Sequence, residues 1–190
     1  MDGTVYVYYE LDNFYQNHRR YVKSRDYYQL RGEIRSYSEI SECDPIRKNS
    51  DLSVTKSYGG VTLDKDAVAN PCGLIAKSVF TDEFSIAGLT IDETGISWYS
   101  DRTYKFGKPS NSASIQWIDP TNEHFIVWMR TAGMPNFRKL WGKIHAGVPV
   151  GTYTLTIKNN YDVSAYDGKK KFILSTTNAF GGKNTFLGAC

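Results

Sequence analysis

The sequence predicts a mainly β protein, an antiparallel β-sandwich-like fold with a few short helices and long loops. Aromatic residues are abundant, with 14 Tyr, 9 Phe and 4 Trp among 190 residues, and aromatic side chains are enriched in strands. Long periodic segments rich in Leu or Ala are scarce. Short apolar stretches alternate instead with clusters of Gly, Asn, Asp and Pro, a spacing that favours a sandwich of short strands.

Four short strands are predicted from local composition. The first covers residues 4–9, where Val and Tyr alternate. Three later segments are rich in apolar or aromatic residues and are bounded by turn-forming residues, so they are predicted as strands as well. They cover residues 95–99, 114–118 and 125–130.

The clearest alternation is the stretch TYTLTIK at residues 152–158. Side chains of a strand point to opposite faces in turn, so Tyr153, Leu155 and Ile157 share one face while the threonines share the other. This pattern predicts a half-buried strand whose aromatic and aliphatic residues point inward.

A β-hairpin is predicted beyond that strand. The dipeptide Asp167-Gly168 separates residues 161–166 from residues 169–176. Both residues of the dipeptide tolerate the positive φ angles of a two-residue hairpin turn. The two flanking segments are therefore predicted to pair.

Two segments have features of helices rather than strands. Apolar residues recur at near-helical spacing through residues 14–30, with polar capping residues before them and Gly32 after them, which predicts one helix. Residues 135–142 begin with Pro, carry basic residues near their end and exit at Gly, which predicts a second, short helix. Long loops are predicted at residues 46–69 and 101–112.

The length and charge indicate one globular domain, residues 1–190, because a chain of this size can bury a sizeable core. With 41% hydrophobic residues, 23% charged residues and a net charge of +3, the protein is not expected to be disordered or to bind nucleic acid as its main partner. The longest apolar run, residues 125–129, is far shorter than the roughly 20 residues of a membrane-spanning helix. No signal-peptide pattern opens the chain, so it is not expected to cross a membrane by itself.

Sequence motifs for catalysis, metal binding and nucleotide binding are missing. The three histidines form no His-Glu-x-x-His motif and the cysteines form no Cys-x-x-Cys pair, which argues against a zinc site. There is no nucleotide-binding Gly-x-x-x-x-Gly-Lys-Ser/Thr loop and no Gly-x-Ser-x-Gly nucleophile elbow. The acidic pairs Asp82-Glu83 and Asp92-Glu93 are interpreted as solvated loop residues. We therefore expect no catalytic residue, no metal and no cofactor.

Basic and aromatic residues occur together in two places. The cluster in residues 15–25 fits a nucleic-acid patch or a site for anionic headgroups, but a helix that packs its aromatic side inward also turns Arg and Lys outward. We favour a structural or partner-contact role. The second group lies within residues 128–141. Trp and Arg are enriched in interface hot spots, but these residues fit the core of the protein equally well. Trp128 and Arg130 share one side of the predicted strand, and that side faces either a partner or a polar crevice. The candidates for partner contact are Tyr15, His18, Arg19, Arg20, Tyr21, Trp128, Arg130, Phe137, Arg138 and Trp141.

The three cysteines bear on the compartment. Cys43 and Cys72 lie on either side of a polar, loop-like stretch. The residues themselves leave two interpretations open, a pair of free thiols and a disulfide that tethers the loop. Cys190 is the last residue and is expected to be a free terminal thiol.

Four stretches in a fixed order form the most specific pattern in the chain. They are NFYQNHRRYVKSR at residues 13–25, NPCGLIA at 70–76, FIVWMRTAGMPNFRKLW at 125–141 and KFILSTTNAFGGKNTFLG at 171–188. Together they resemble the signature of the Cdc-fifty family, also called the ligand-effect-modulator family. Members of that family are non-catalytic β-subunits of type IV P-type ATPases, the phospholipid flippases of eukaryotic membranes.

The resemblance implies a partner, a location and a disulfide. The partner is the catalytic α-subunit, which the β-subunit binds as a heterodimer and whose folding, export from the endoplasmic reticulum and phospholipid translocation it supports. Family members carry a transmembrane helix on each side of an exoplasmic domain, and the matching region here is that domain without the helices. Its place is then extracellular or lumenal, in the endoplasmic reticulum, Golgi, endosome or plasma membrane. The family also places a cysteine pair at Cys43 and Cys72, which implies a disulfide.

The chain departs from the family pattern in two ways. No Asn-x-Ser/Thr acceptor is present, so no N-glycosylation is expected, and a further cysteine pair often found before the first strand is missing. Two other functions stay open. A ligand- or carbohydrate-binding β-sandwich of a membrane protein needs a concave aromatic and polar site or a calcium loop, and a secreted hydrolase needs a nucleophile and a base.

Overall fold

A computed structural model describes residue 1, residues 3–178 and residues 181–182. Within these ranges, no helix combines the length and the apolar character needed to cross a membrane. The prediction for Cys190 and the end of the fourth family block lie outside the described residues.

The strands are β1 (Val5–Leu11), β2 (Glu83–Ile86), β3 (Phe137–Ile144), β4 (Leu155–Lys158), β5 (Lys170–Asn178) and β6 (Gly181–Gly182). The helices are α1 (Arg19–Lys23), α2 (Tyr27–Leu30), α3 (Leu74–Lys77), α4 (Tyr99–Tyr104), α5 (Ser112–Ile115) and α6 (Glu123–Met129). Short 3-10 helices occur at Tyr37–Glu39, Ser41–Cys43, Asn49–Asp51 and Ser164–Tyr166.

The structure divides into two compact units, and neither is one continuous segment. Among the described residues, every strand lies in unit 1 and every α-helix lies in unit 2. A single domain spanning residues 1–190 therefore stays a prediction. Unit 1 comprises Met1–Phe14, Thr81–Ile96 and Pro135–Cys190, and unit 2 comprises Tyr15–Phe80 and Ser97–Met134.

Unit 1 is built on an antiparallel sheet with the strand order β3-β1-β5-β6. The predicted first strand, β1, lies at the centre and pairs along its length with β3 on one side and β5 on the other. Its burial alternates with the period of two that a strand imposes. Val5, Val7, Tyr9 and Leu11 are buried, and the residues between them are partly exposed. One face of the sheet therefore forms the core of this unit.

A second antiparallel sheet in unit 1 pairs β2 with β4. The buried Phe84 of β2 connects the two sheets. Its ring meets that of Trp141 in β3 edge to face, with centroids 5.0 Å apart, and lies 5.1 Å from the ring of Phe172 in β5. Antiparallel sheets with short helices and long loops confirm the predicted fold class.

Unit 2 consists of short helices joined by loops. Helix α6 begins after Asn122, whose side chain accepts hydrogen bonds from the backbone N–H groups of His124 and Phe125, and this cap satisfies donors that the first turn leaves unpaired. Helix α6 contacts α3 and α4. The predicted long loop at residues 46–69 is present, and both of its flanks contribute to a buried cluster. That cluster contains Ile40, Cys43, Ala69 and Cys72.

The helix predicted at residues 135–142 is wrong, because most of this segment belongs to β3. Phe137, Lys139 and Trp141 are buried while Arg138 is exposed, which is the alternation of a strand. The Pro and Gly at the ends of the segment are local signals. In the structure, pairing with β1 supplies the backbone hydrogen bonds, and the aromatic side chains pack into the core. This tertiary context overrides the local helix propensity.

The hairpin predicted around Asp167-Gly168 does not form. Asp167 does adopt a positive φ of 52°. However, the residues before it form the 3-10 helix Ser164–Tyr166, and β5 pairs with β1 instead. The inward face predicted for residues 152–158 is also wrong, because Leu155 and Ile157 of β4 are 38% and 46% exposed.

Three other predicted strands are helical or irregular. Residues 125–130 lie mostly in α6, residues 114–118 overlap α5, and residues 95–99 form no strand and end where α4 begins. A short apolar run does not by itself distinguish a strand from a buried helix. For α6, the Asn122 cap favours the helix, and the buried residues Phe125, Ile126, Trp128 and Met129 follow helical spacing.

The long helix predicted over residues 14–30 is two short helices, α1 and α2. Ser24 ends α1 and is fully buried. Its hydroxyl is within hydrogen-bond distance of the carbonyl oxygens of Cys43 (3.0 Å) and Asp44 (2.9 Å). Because a buried polar side chain needs partners, the chain turns inward at this residue instead of continuing the helix.

Candidate functional site

Four of the predicted contact residues lie together in sequence on the surface of unit 2. Tyr15 and His18 precede α1, and Arg19 and Arg20 form its first turn. All four side chains are exposed. We call these four residues the basic segment, and they stay candidates for partner contact.

The basic segment is anchored by two amide side chains. Gln16 is fully buried, and its Oε1 accepts a hydrogen bond of 2.8 Å from the backbone N–H of Ala132. Asn17 donates from Nδ2 to the carbonyl oxygen of Gly133 at 2.9 Å. These bonds hold the segment in one conformation, so a partner that binds it has little backbone entropy to remove.

Tyr21 has a structural role. Its side chain is partly buried, and its hydroxyl lies 2.7 Å from Oγ of Ser78. Burial raises the pKa of Tyr21 to about 12, although the hydrogen bonds to its hydroxyl oppose the shift. The phenol therefore stays protonated at neutral pH and joins α1 to the end of α3.

Three aromatic candidates are inside the protein. Trp128 has no exposed surface, and its indole Nε1 donates to the carbonyl oxygen of Ile75 at 2.8 Å. Phe137 and Trp141 are also buried, in the core of unit 1. These side chains contribute packing and are not presented to a partner in this structure.

Arg130 lies on the surface of unit 2 but not on the same side of a strand as Trp128. It caps the C-terminus of α6, and residues two apart on a helix point in different directions. Its guanidinium lies over the ring of Trp98, 4.5 Å from the centroid. A Trp-Arg pair is therefore present, but Trp98 supplies the ring.

Asp101 holds Arg130 in place. Nε and Nη2 of Arg130 donate to Oδ2 and Oδ1 of Asp101 at 2.5 and 3.2 Å, and Nζ of Lys105 lies 2.8 Å from Oδ1. The Asp101 side chain is almost completely buried. Burial raises the pKa of Asp101, but the hydrogen bonds from Arg130 and Lys105 outweigh burial and keep the pKa below its usual value. The carboxylate is therefore charged.

Arg138 is exposed on the surface of unit 1. Its Nε lies 2.6 Å from Oε2 of Glu10, and Nζ of Lys171 lies 2.6 Å from Oε1 of the same carboxylate. These hydrogen bonds, first from Lys171 and then from Arg138, lower the pKa of Glu10. Arg138 stays a candidate for partner contact, with its charge partly matched by Glu10.

Unit 2 also carries an exposed aromatic group that is not among the residues predicted from the sequence. Trp98, Tyr99 and Tyr104 are 66%, 69% and 68% exposed, and they lie at and within α4. We call them the aromatic surface. Exposed Trp and Tyr side chains are frequent in interface hot spots. The other residues between 97 and 105 are all polar or charged, so this segment has no apolar stripe with which a helix would bury one face.

Cys43 and Cys72 form a disulfide, the pair that the family resemblance implies. Their Cα atoms are 5.7 Å apart, and both residues are buried. The bond lies within a polar network, because Oε1 of Gln29 accepts from the Cys72 N–H at 2.9 Å and Ser24 contacts the Cys43 carbonyl. The disulfide therefore fixes both ends of the long loop against the chain that follows the basic segment.

Replacing both bonded cysteines by Ala is expected to lower the free energy of unfolding by roughly 3 to 4 kcal/mol, because a loop of this length regains its freedom in the unfolded chain. Urea denaturation measures the change. Cys190→Ala is the matched control and is expected to leave the midpoint unchanged. Equal midpoints for the double variant and the control would show that the bond adds no stability.

The acidic pairs have structural partners. Asp82 is buried, so the prediction that it is solvated is wrong. Asp92 accepts hydrogen bonds from Thr94 and lies 2.9 Å from Nε2 of His145; these bonds, first from Thr94, lower the pKa of Asp92. In the part of the chain that the structure describes, no three His, Cys, Asp or Glu side chains are grouped as metal ligands.

Comparison with known proteins gives a consistent result. The family model described as "LEM3 (ligand-effect modulator 3) family / CDC50 family" matches residues 1–190. "Cell cycle control protein 50A" of Bos taurus is 37% identical over 227 residues, which cover 98% of this chain and 59% of that protein. "ALA-interacting subunit 3" of Arabidopsis thaliana is 41% identical over 206 residues, with 99% and 54% covered. "Cell cycle control protein 50B" of Homo sapiens is 37% identical over 227 residues, with 98% and 61% covered. The chain thus spans 54 to 61% of the length of these relatives.

Proposed function

Because the chain belongs to the LEM3/CDC50 family, we propose that it is the part of a non-catalytic β-subunit that binds the catalytic α-subunit of a phospholipid flippase, a type IV P-type ATPase. In this heterodimer it supports the folding of the α-subunit, its export from the endoplasmic reticulum and phospholipid translocation. The family match over residues 1–190 carries the proposal. The name of the plant relative, an interacting subunit, agrees with it.

The proposed location is the extracellular or lumenal side of a membrane. Transmembrane helices on each side of the matching region would anchor the protein in the endoplasmic reticulum, Golgi, endosome or plasma membrane. The Cys43–Cys72 disulfide supports this location, because disulfides persist mainly in oxidising compartments.

The proposed mechanism is a binding linkage. A protein that binds the folded α-subunit and not the unfolded one shifts the folding equilibrium by mass action. Tyr99 and Tyr104 of the aromatic surface offer large contact areas to such a partner. The basic segment adds charge at anchored positions, which favours fast and oriented association.

The proposal is tested by coexpressing the membrane-anchored protein with type IV ATPase α-subunits and measuring both co-purification and α-subunit exit from the endoplasmic reticulum. The double variant Tyr99→Ser/Tyr104→Ser is expected to lower recovery about tenfold or more, as loss of hot-spot contacts does. Neither side chain has a hydrogen bond or ring contact within the described ranges, so the fold should be unaffected.

The matched control is Val54→Ser/Val61→Ser, which removes exposed apolar side chains elsewhere in unit 2. This control is expected to keep full recovery. Recovery of no α-subunit by the unmodified protein would overturn the proposed function. Unchanged recovery with the tyrosine variant would exclude the aromatic surface as the contact while leaving the β-subunit function in place.

A further inference from the structure

Unit 2 contains a cavity of about 410 Å³, within the range of small-molecule sites. Its wall combines the end of α2, the end of α4 and the residues that follow α6. Leu30, Phe106 and Met129 supply apolar surface. The charged lining residues are Arg25, Arg31, Lys105, Arg130 and Asp101.

The charge of this lining is unbalanced, because four cations face one carboxylate. Asp101 pairs with both Arg130 and Lys105. Arg25 donates from Nη1 to the carbonyl oxygen of Met129 at 3.2 Å and lies over the ring of Tyr27, so its charge is positioned but not neutralised. The guanidinium of Arg31 has no hydrogen bond or ion pair with any described residue.

The position of Arg31 is fixed by its backbone. The N–H of Gly107 donates to the carbonyl oxygen of Leu30 at 2.8 Å. The approach is so close that a Cβ atom on Gly107 would lie 2.6 Å from the carbonyl oxygen of Arg31. The end of α2 is therefore held against the segment that carries Phe106, and Arg31 is placed at the cavity before any ligand arrives.

We propose that this cavity binds a phosphate group attached to a small organic molecule or to a lipid headgroup. A phosphate monoester carries roughly two negative charges and three acceptor oxygens, which suit several converging cations better than a single carboxylate does. Guanidinium groups bind phosphate oxygens through two parallel hydrogen bonds. The apolar wall formed by Leu30, Phe106 and Met129 receives the organic part. This ligand site goes beyond the proposed function, which needs no ligand in the cavity.

Calorimetric titration of the protein with inorganic phosphate and with glycerol 3-phosphate, at fixed ionic strength, tests the site. Saturable binding with a preference for the ester is expected. Arg31→Gln should weaken binding about tenfold or more, since hydrogen bonds to charged groups contribute on that order. Lys23→Gln is the control, because Lys23 is an exposed cation of unit 2 that does not line the cavity.

Flotation with phosphatidylcholine vesicles, with and without phosphatidic acid, distinguishes the two sources of phosphate. Arg31-dependent binding to phosphatidic acid vesicles supports a headgroup ligand, and binding to glycerol 3-phosphate without vesicle binding supports a free phosphate ester. Absence of saturable binding to every probe, or equal weakening by Arg31→Gln and Lys23→Gln, would overturn the site. Recovery of the α-subunit is measured separately, so failure of the cavity proposal and failure of the β-subunit proposal give different results.

Discussion

Gly73→Ala is expected to unfold unit 2, or to lower its free energy of unfolding by more than about 4 kcal/mol, the size reserved for severe packing or backbone conflicts. Gly73 has a φ of +100°, where L side chains are strained, and a Cβ atom at this position would lie 2.1 Å from the carbonyl oxygen of Ser24. The obstacle is backbone and not a flexible side chain. Ser24 is itself held by hydrogen bonds to the Cys43 and Asp44 carbonyl oxygens, which a shift away from the new methyl group would break.

Gly60→Ala is the matched control for this substitution. Gly60 lies in the same unit with a φ of +84°, but a Cβ atom there would meet nothing within 4 Å. Its cost is limited to the left-handed backbone, about 1 to 2 kcal/mol. Urea denaturation followed by tryptophan fluorescence measures both variants. Equal costs would mean that the chain relaxes around the new methyl group and that the close approach to Ser24 is not required.

The contact at Gly73 joins two of the stretches that carry the family resemblance. Ser24 lies near the end of the first stretch, and Gly73 lies in the second. Trp128 in the third stretch then donates to the carbonyl oxygen of Ile75 in the second. Three separated sequence blocks thus form one packed region of unit 2, with the disulfide at Cys72 beside it. The residues of these three stretches that contact one another therefore contribute to packing within unit 2.

Sequence patterns predict the parts of the fold in which local spacing and tertiary environment agree. The alternation of β1 is such a case, because one face of this strand is buried and the other is not. Residues 135–142 show the opposite case. Their Pro, basic residues and Gly match a helix locally. However, the strand with which they pair, β1, lies more than a hundred residues earlier in the chain.

The candidate site shows the same limit. The disulfide follows from the family resemblance and not from spacing, since two cysteines separated by a polar loop fit free thiols equally well. Trp128 has the residue type of an interface hot spot, but it is buried in α6 and donates a hydrogen bond to Ile75 of α3. The spacing of residues in the sequence does not predict that α3 and α6 are neighbours. The cations of the cavity come from three separate parts of the chain. No local pattern contains them.

Asp82→Ala is expected to lower the free energy of unfolding by roughly 3 to 5 kcal/mol, the cost of breaking a buried ion pair from one side. Oδ1 of Asp82 accepts from the backbone N–H groups of Asn160 and Tyr161 at 2.8 and 2.7 Å, and Oδ2 accepts from Nζ of Lys170 at 2.6 Å. This one carboxylate therefore joins the start of β2 to the end of β4 and to the start of β5. Its removal leaves two backbone donors and one largely buried ammonium group without this acceptor.

Two further variants separate the contribution of the buried hydrogen bonds of Asp82 from that of its negative charge. Asp82→Asn keeps an acceptor oxygen for the two N–H groups and loses the charge. Its free energy of unfolding should therefore lie between that of the wild type and that of Asp82→Ala. Glu83→Gln changes the adjacent carboxylate, which pairs with Lys158 while both side chains are mostly exposed, and surface pairs contribute at most about 1 kcal/mol. Chemical denaturation of the three variants should therefore rank them as Glu83→Gln, Asp82→Asn and Asp82→Ala in order of increasing loss. A loss for Glu83→Gln as large as that for Asp82→Ala would show that the attachment of β2 depends on net charge and not on the buried hydrogen bonds of Asp82.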